Sequence, residues 1–421
     1  MFGALLGLVL ALATLTRPEG LGVAAVGILW LATKPPKILG AALAGLALPL
    51  ASYQAFRFAT WGTWVSTSSS AKLGDFSVLY NIFASIDYFL HSYALYAALI
   101  VFALLFFIWA RPNRQGWLVL SLAVPLILAT AIAGGDHMPF GRFLVPMAGL
   151  LLLAIGLTPY PRDKDKSLRP LPIVGAGIAI VGHLAMCIVT VFVATGDLAA
   201  VFGAPVGRFL EEHLPAGSLV ATATAGSTPY FAPSLHFIDT LGLNDPNIAT
   251  RRIDAIRTRW QYQPGHRKGN GAYVLQRQPD VIILGPAYGY LGHVANNWFL
   301  TDLELLESQT FWDEYVPYAW KLKLEKDYGD RDFEEADRRM WMLHTGIPEK
   351  HKPEGLLLKE GEWLLIAFLR RTSPATTQLA TTGISLESHF RQMTPEYQAI
   401  CQKSPWWAFN LPCDDQARPR K

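Results

Sequence analysis

The sequence predicts a polytopic α-helical membrane bundle of about seven spans followed by a soluble α/β domain. Three observations predict it. Residues 1–195 consist mostly of Leu, Ala, Val, Ile, Gly and Phe, whereas the remainder carries most of the charge. Within that first part, apolar runs at about 2–16, 21–33, 38–53, 93–110, 117–133, 143–158 and 171–195 approach the ~20 residues that cross a bilayer, the shorter ones borrowing aromatic flanks. From 202 onward, short β-rich runs alternate with amphipathic and charged helical stretches, the pattern of an α/β fold. A chain of 421 residues is long enough for two or three domains. The expected division is a transmembrane domain at 1–195 and an extracytoplasmic domain at 196–421.

The first run has no basic stretch before it and no small-residue cleavage signal after it, so it is read as a span rather than a secretory leader. It ends in Thr16-Arg17-Pro18-Glu19-Gly20. Residues 54–92 form neither a span nor an ordinary loop. Tyr53, Phe56, Trp61 and Trp64 precede the Ser66-Thr67-Ser68-Ser69-Ser70 run, and Tyr88 and Phe89 follow it. Trp and Tyr favour the bilayer interface, so one or two short helices lying flat at the outer surface are expected, with the serines as a turn between them. Such a segment serves either as part of a substrate groove or as an aromatic belt.

Sidedness follows from the short loops, because Lys and Arg accumulate on the cytoplasmic side. Lys34-Pro35-Pro36-Lys37, Arg111-Pro112-Asn113-Arg114 and the 161–169 loop together hold eight basic residues, and are read as cytoplasmic. The loops alternating with them carry only Arg17, Arg57, Lys72 and Arg142, and are read as facing outside together with everything beyond 195.

In the second part, residues 201–215 read as an amphipathic helix. Strands are expected at 218–225, 235–239, 280–284 and 362–368, with charged helix at 324–343. Of three cysteines, Cys187 lies in an apolar run and should behave as a small hydrophobe. Cys401 and Cys413, separated by eleven residues, are either a disulfide in an oxidising compartment or two free thiols.

Several chemistries are set aside. A net charge of +3, scattered along the chain, does not fit nucleic-acid binding. The chain carries no phosphate-cradling glycine loop, zinc spacing or nucleophile elbow, and no metal site is expected. No cofactor can be named. What remains is a set of polar groups on one predicted membrane face. At its centre is Gly134-Gly135-Asp136-His137-Met138-Pro139-Phe140-Gly141-Arg142-Phe143, wedged between two apolar runs. Ionisable groups at such a mouth are costly unless they handle something, although a polar turn capping two helices uses the same residue types. Arg142 is the first candidate for binding a phosphate, and Asp136 with His137 the candidate acid/base pair. Arg17 and Glu19 either bind substrate or pair with each other across Pro18. Asp239, Asn244 and Asp245 either line a substrate face of the soluble domain or form an Asx-type turn.

Three of these stretches together resemble bacterial multi-span glycosyltransferases of the GT-C type, and among them terminal arabinofuranosyltransferases of cell-envelope glycans. They are Leu15-Thr16-Arg17-Pro18-Glu19-Gly20, the 134–146 stretch ending Phe143-Leu144-Val145-Pro146, and Phe237-Ile238-Asp239-Thr240-Leu241-Gly242-Leu243-Asn244-Asp245. The resemblance implies a GT-C-like bundle in the inner membrane. It also implies transfer of a sugar from a polyprenyl-phosphate donor to an envelope glycan or lipid acceptor at the outer face, with membrane lipids as partners. Such enzymes carry their principal catalytic acid in the first outward loop, in an Asp-Asp-Ala-Phe-like stretch followed by a Glu-Gly-Tyr-Thr motif. This chain has neither, and is therefore expected to be an N-terminally incomplete or split member. Two other readings stay open: a transporter or flippase subunit for lipid-linked sugars, and a non-catalytic envelope-assembly partner. A transporter should hold ionisable groups near the membrane midplane, where His183 is the exception in a set otherwise clustered at one mouth.

Overall fold

The computed structural model describes residues 1–73, 78–136, 139–159, 177, 180–185, 187–188, 198–291, 299–323, 352–359 and 361–388. The chain divides into two compact units, Met1–Ser66 with Phe76–Ala194, and Thr67–Asp75 with Thr195–Lys421.

The described part of the first unit is helical throughout: α1 (Phe2–Thr16), α2 (Gly20–Leu31), α3 (Pro36–Trp61), α5 (Val78–Ala110), α6 (Arg114–Ala133) and α7 (Val145–Leu157). The short α4 (Thr67–Leu73) belongs to the second unit. Breaks fall where the sequence stops a helix. Pro18 follows α1, Pro35 and Pro36 open α3, and Gly62 and Gly134 end α3 and α6 in left-handed conformations at φ 67° and 84°. Asn113 caps α6 by accepting from the Gly116 N–H at 2.8 Å.

Among the described residues, two helices, α3 and α6, are long and apolar enough to cross a membrane. Both are apolar around most of their circumference, and Leu48 and Leu128 lie exposed on them. A helix of that kind needs an apolar surround. Seven spans are not supported by the described residues: α1, α2 and α7 have 15, 12 and 13 residues. At 1.5 Å per residue they reach ~18–23 Å, short of the ~30 Å hydrocarbon core. Pro18, Pro35 and the 3-10 turn at Pro139–Leu144 bound these short helices. Most of the 171–195 run lies outside the described residues.

The 54–92 segment also differs from expectation. It is the last turns of α3, then α4, then the first turns of α5. Nothing between Tyr53 and Trp61 breaks a helix, so α3 runs on until Gly62, and the Ser-rich run itself becomes α4. Trp61 and Trp64 are exposed, with the Phe58 and Trp64 rings stacked at 4.6 Å.

Helix α1 lies tightly on α3. A Cβ added at Gly3 or Gly7 would strike the Ile38 or Ala42 carbonyl oxygen, and one at Gly45 the Ala4 carbonyl oxygen. Gly3-Ala4-Leu5-Leu6-Gly7 is thus a small-xxx-small surface, which lets two apolar helices bring their backbones together.

The second unit is built on a six-stranded sheet of order β2-β1-β3-β5-β4-β6. The strands are β1 (Leu219–Thr222), β2 (His236–Asp239), β3 (Val281–Ile282), β4 (Tyr315–Lys323), β5 (Glu362–Arg370) and β6 (Ile384–Ser385). β1 runs parallel to β2 and β3, and the β3–β5, β5–β4 and β4–β6 pairs are antiparallel. Alternating residues go to opposite faces. Ala221, Ile282, Ile366 and Phe368 join one buried cluster, whereas Val220, Val281, Leu365 and Ala367 join another, which α8 (Leu198–His213) covers with Val206 and Leu210. A sheet filled on both faces accounts for near-continuous apolar strands. The 324–343 helical expectation lies outside the described residues.

Asp280, just before β3, ties three parts of the sheet together. Its carboxylate accepts from the Leu219 N–H at 2.8 Å, the Ser373 hydroxyl at 2.6 Å and an Arg370 guanidinium N–H at 3.1 Å. Asp280→Ala is expected to cost about 2–3 kcal/mol, because those three donors lose a charged acceptor together. The check is faster hydrogen exchange in the β1 and β5 peptides; unchanged protection would refute the tie.

Candidate functional site

In the first unit, the left-handed turn Gly134-Gly135 (φ 84° and 83°) delivers the chain from α6 to Asp136. Only a glycine fits at 135, since a Cβ there would sit 2.6 Å from the Tyr88 Cβ. The side chain of Asp136 is 3% exposed and receives Arg142 through two guanidinium contacts, one from Nε and one from NH2 at 3.1 Å. Bidentate geometry of this kind fixes a guanidinium in orientation as well as position. The Arg142 side chain remains 48% exposed.

Phe143 gathers the remaining groups. Its N–H donates to the Tyr88 hydroxyl at 3.1 Å, and its ring centroid lies 5.4 Å from the Arg142 guanidinium and 4.9 Å from that of Arg17. Arg17, at the end of α1, also pairs with Glu19 at 2.8 Å. The pairing across Pro18 that the sequence leaves open is therefore made. Arg17, Glu19, Asp136 and Arg142 thus meet around one aromatic ring, while His137 lies outside the described residues. Sequence reasoning missed Tyr88 and Phe143 as organisers. Phe143 stood inside the central stretch but reads there as one more apolar residue.

Elsewhere in this unit the Cys187 thiol lies 3.8 Å from His183 Nε2, and the His183 and Tyr96 rings are 5.5 Å apart. Cys187 packs partly buried against the helix-bundle core, as a small hydrophobe would. Cys401 and Cys413 lie outside the described residues.

In the second unit, Asp239 ends β2 and is 6% exposed. Its carboxylate accepts from the Leu241 N–H at 3.0 Å and the Asn244 N–H at 2.6 Å, forming the Asx-type turn. Burial pushes this carboxyl above its ordinary range, and the backbone donors pull it part of the way back. Asp245 caps α10 (Pro246–Thr250) by accepting from the Asn247 and Ile248 N–H groups, and its other oxygen accepts from the Tyr273 hydroxyl at 3.1 Å. The exposed Asn244 amide reaches the Ala225 carbonyl at 3.4 Å.

A further acid escaped sequence reading. Asp302, in α12 (Leu300–Leu306), is 1% exposed and accepts from the Gly285 N–H at 2.8 Å and the Tyr290 hydroxyl at 3.4 Å. Burial pushes its carboxyl up to about 7, against the pull of these donors. Its only sequence signal is a lone Asp in an apolar helix, which surface helices share. The described residues hold no group of three or more His, Cys, Asp or Glu that could take a metal ion.

Residues 196–339 match a family model described as a domain of unknown function, DUF8728. The matched segment begins just before α8 and takes in β1 to β4. No curated protein and no solved structure matches the chain.

Proposed function

We propose that the chain is an integral membrane glycosyltransferase of GT-C-like architecture, its first unit carrying about seven hydrophobic segments. It takes a sugar from a polyprenyl-phosphate donor and passes it to an envelope glycan or lipid acceptor at the outer face of the inner membrane. One observation carries the reading: two guanidinium groups, Arg17 and Arg142, converge on Phe143 where the helices α1, α6 and α7 begin or end. Asp136 takes two of the five N–H groups of Arg142, leaving the half-exposed remainder for an anion. Guanidinium forks match phosphate oxygens two at a time, and an apolar ring beside them suits the prenyl chain. In this reading Asp136 positions Arg142, and Glu19 does the same for Arg17.

The experiment is a polyprenyl-phosphate binding assay on the full chain in lipid nanodiscs. Arg142→Ala and Arg17→Ala are each expected to weaken binding by about tenfold or more, the worth of a charged hydrogen bond. Unchanged affinity in both variants defeats the proposal. A second reading, a lipid-phosphate-binding assembly partner without catalysis, is favoured by the commitment of Asp136 to Arg142. Transfer of radiolabelled sugar from the lipid donor separates the two: the partner binds donor and transfers nothing.

A further inference from the structure

We propose that the cleft at the carboxyl ends of β1 and β2 binds a single ring of a neutral sugar. This holds whether or not the first unit transfers one.

The cleft measures about 280 Å³. That is slightly below the ~300–1,000 Å³ of pockets for drug-sized ligands, and fits one ring rather than a chain of them. Its place follows from the topology: β1 and β2 are parallel, and open parallel sheets bind their ligands outside the carboxyl ends of the strands. Thr222 and Asp239, the last residues of β1 and β2, both line it.

The chemistry of the walls selects the ligand. Phe237, Pro229 and Pro246 supply apolar surface, and neither proline has an N–H to offer. Sugar rings present C–H faces to such walls. The polar groups are the carboxylates of Asp239 and Asp245 and the amide of Asn244. A carboxylate has about four lone-pair sites, and backbone N–H groups and the Tyr273 hydroxyl fill about three on each. One acceptor on each acid, with an amide donor at the exposed rim, matches neighbouring hydroxyls that both donate and accept. Among the described residues no Lys, Arg or His lines the cleft, so a phosphate would meet two acids with no counter-charge. N–H and O–H donors already hold both carboxylates, which leaves them little to offer a cation.

The test is saturation-transfer NMR on the full chain in sugar-free lipid nanodiscs, with methyl arabinofuranoside and methyl mannopyranoside as probes at ~1–10 mM. Transfer to ring protons of at least one glycoside is expected. Asn244→Ala, which removes an exposed side chain, should lower it by about three- to tenfold with unchanged thermal unfolding, the worth of one neutral hydrogen bond. Phe237→Leu should lower it as well, and Arg142→Ala should leave it alone. The proposal is overturned if neither glycoside receives transfer, or if both cleft variants bind as the parent does. Loss of transfer in Arg142→Ala would assign the sugar to the first unit and overturn it too. So would inorganic phosphate or calcium displacing the glycoside.

Discussion

Replacing Asp302 by alanine is expected to remove about 3–5 kcal/mol from the second unit, because the buried Gly285 N–H and Tyr290 hydroxyl lose this acceptor and a void opens beneath the sheet. The measurement is hydrogen exchange in the β3 and β5 peptides of the full chain, with α3 and α6 as internal references. Loss of protection confined to the second unit is the expected result; protection equal to the parent would show that Asp302 holds nothing. Asp302→Asn separates charge from shape, since its amide oxygen can still accept from Gly285. The folded-state pKa of Asp302 is about 7, above the ordinary 3.8, so the folded protein binds the proton more tightly than the unfolded chain. The contribution is therefore fully present below about pH 4, declines as pH rises towards 7 and is flat beyond. Asp239 is shifted in the same direction. The difference in stability between parent and Asp302→Asn should swing in favour of the variant from pH 4 to 7. A difference independent of pH would refute a raised pKa.

Gly7→Leu is expected to force α1 off α3. The added side chain meets the Ala42 backbone carbonyl, and backbone cannot rotate out of the way as a side chain can. Overpacking of this kind costs about 1–3 kcal/mol, and more where the helices must separate. Gly40→Leu is the control, since a Cβ there meets nothing within 4 Å. In detergent, the thermal unfolding midpoint of Gly7→Leu should fall well below that of Gly40→Leu. Equal midpoints would mean that the small-residue seam does not hold the pair.

Composition changes sharply near 195, where the two compact units also part at Ala194 and Thr195, although Thr67–Asp75 goes with the second. β1, β2, β3 and β5 could be read because each is a short apolar run. β4 was missed: Pro317 and the charged Lys321 and Lys323 argue against an interior strand, yet it pairs with β5 and β6 on its two sides. Long-range pairing overrode the local signal there. The span count finds no support for a different reason: α1, α2 and α7 nearly coincide with the runs at 2–16, 21–33 and 143–158, but runs of that length fall short of the hydrocarbon core. At the site, Arg17 and Arg142 were both singled out, but their meeting at Phe143 across 125 residues of chain is a product of packing. The small-xxx-small pattern of Gly3 and Gly7 was passed over in the sequence, and the close approach to α3 is what identifies it as a seam.

Because Thr67–Asp75 belongs to the second unit, that unit is discontinuous in sequence. Ala71 of α4 is fully buried, and an Arg267 guanidinium N–H reaches the Lys72 carbonyl at 3.5 Å. During synthesis α4 leaves the ribosome more than a hundred residues ahead of β1, and must wait for its partners through the making of α5, α6 and α7. A fragment begun at 196 would be born with that surface bare, and adding a peptide spanning 62–77 is the way to cover it.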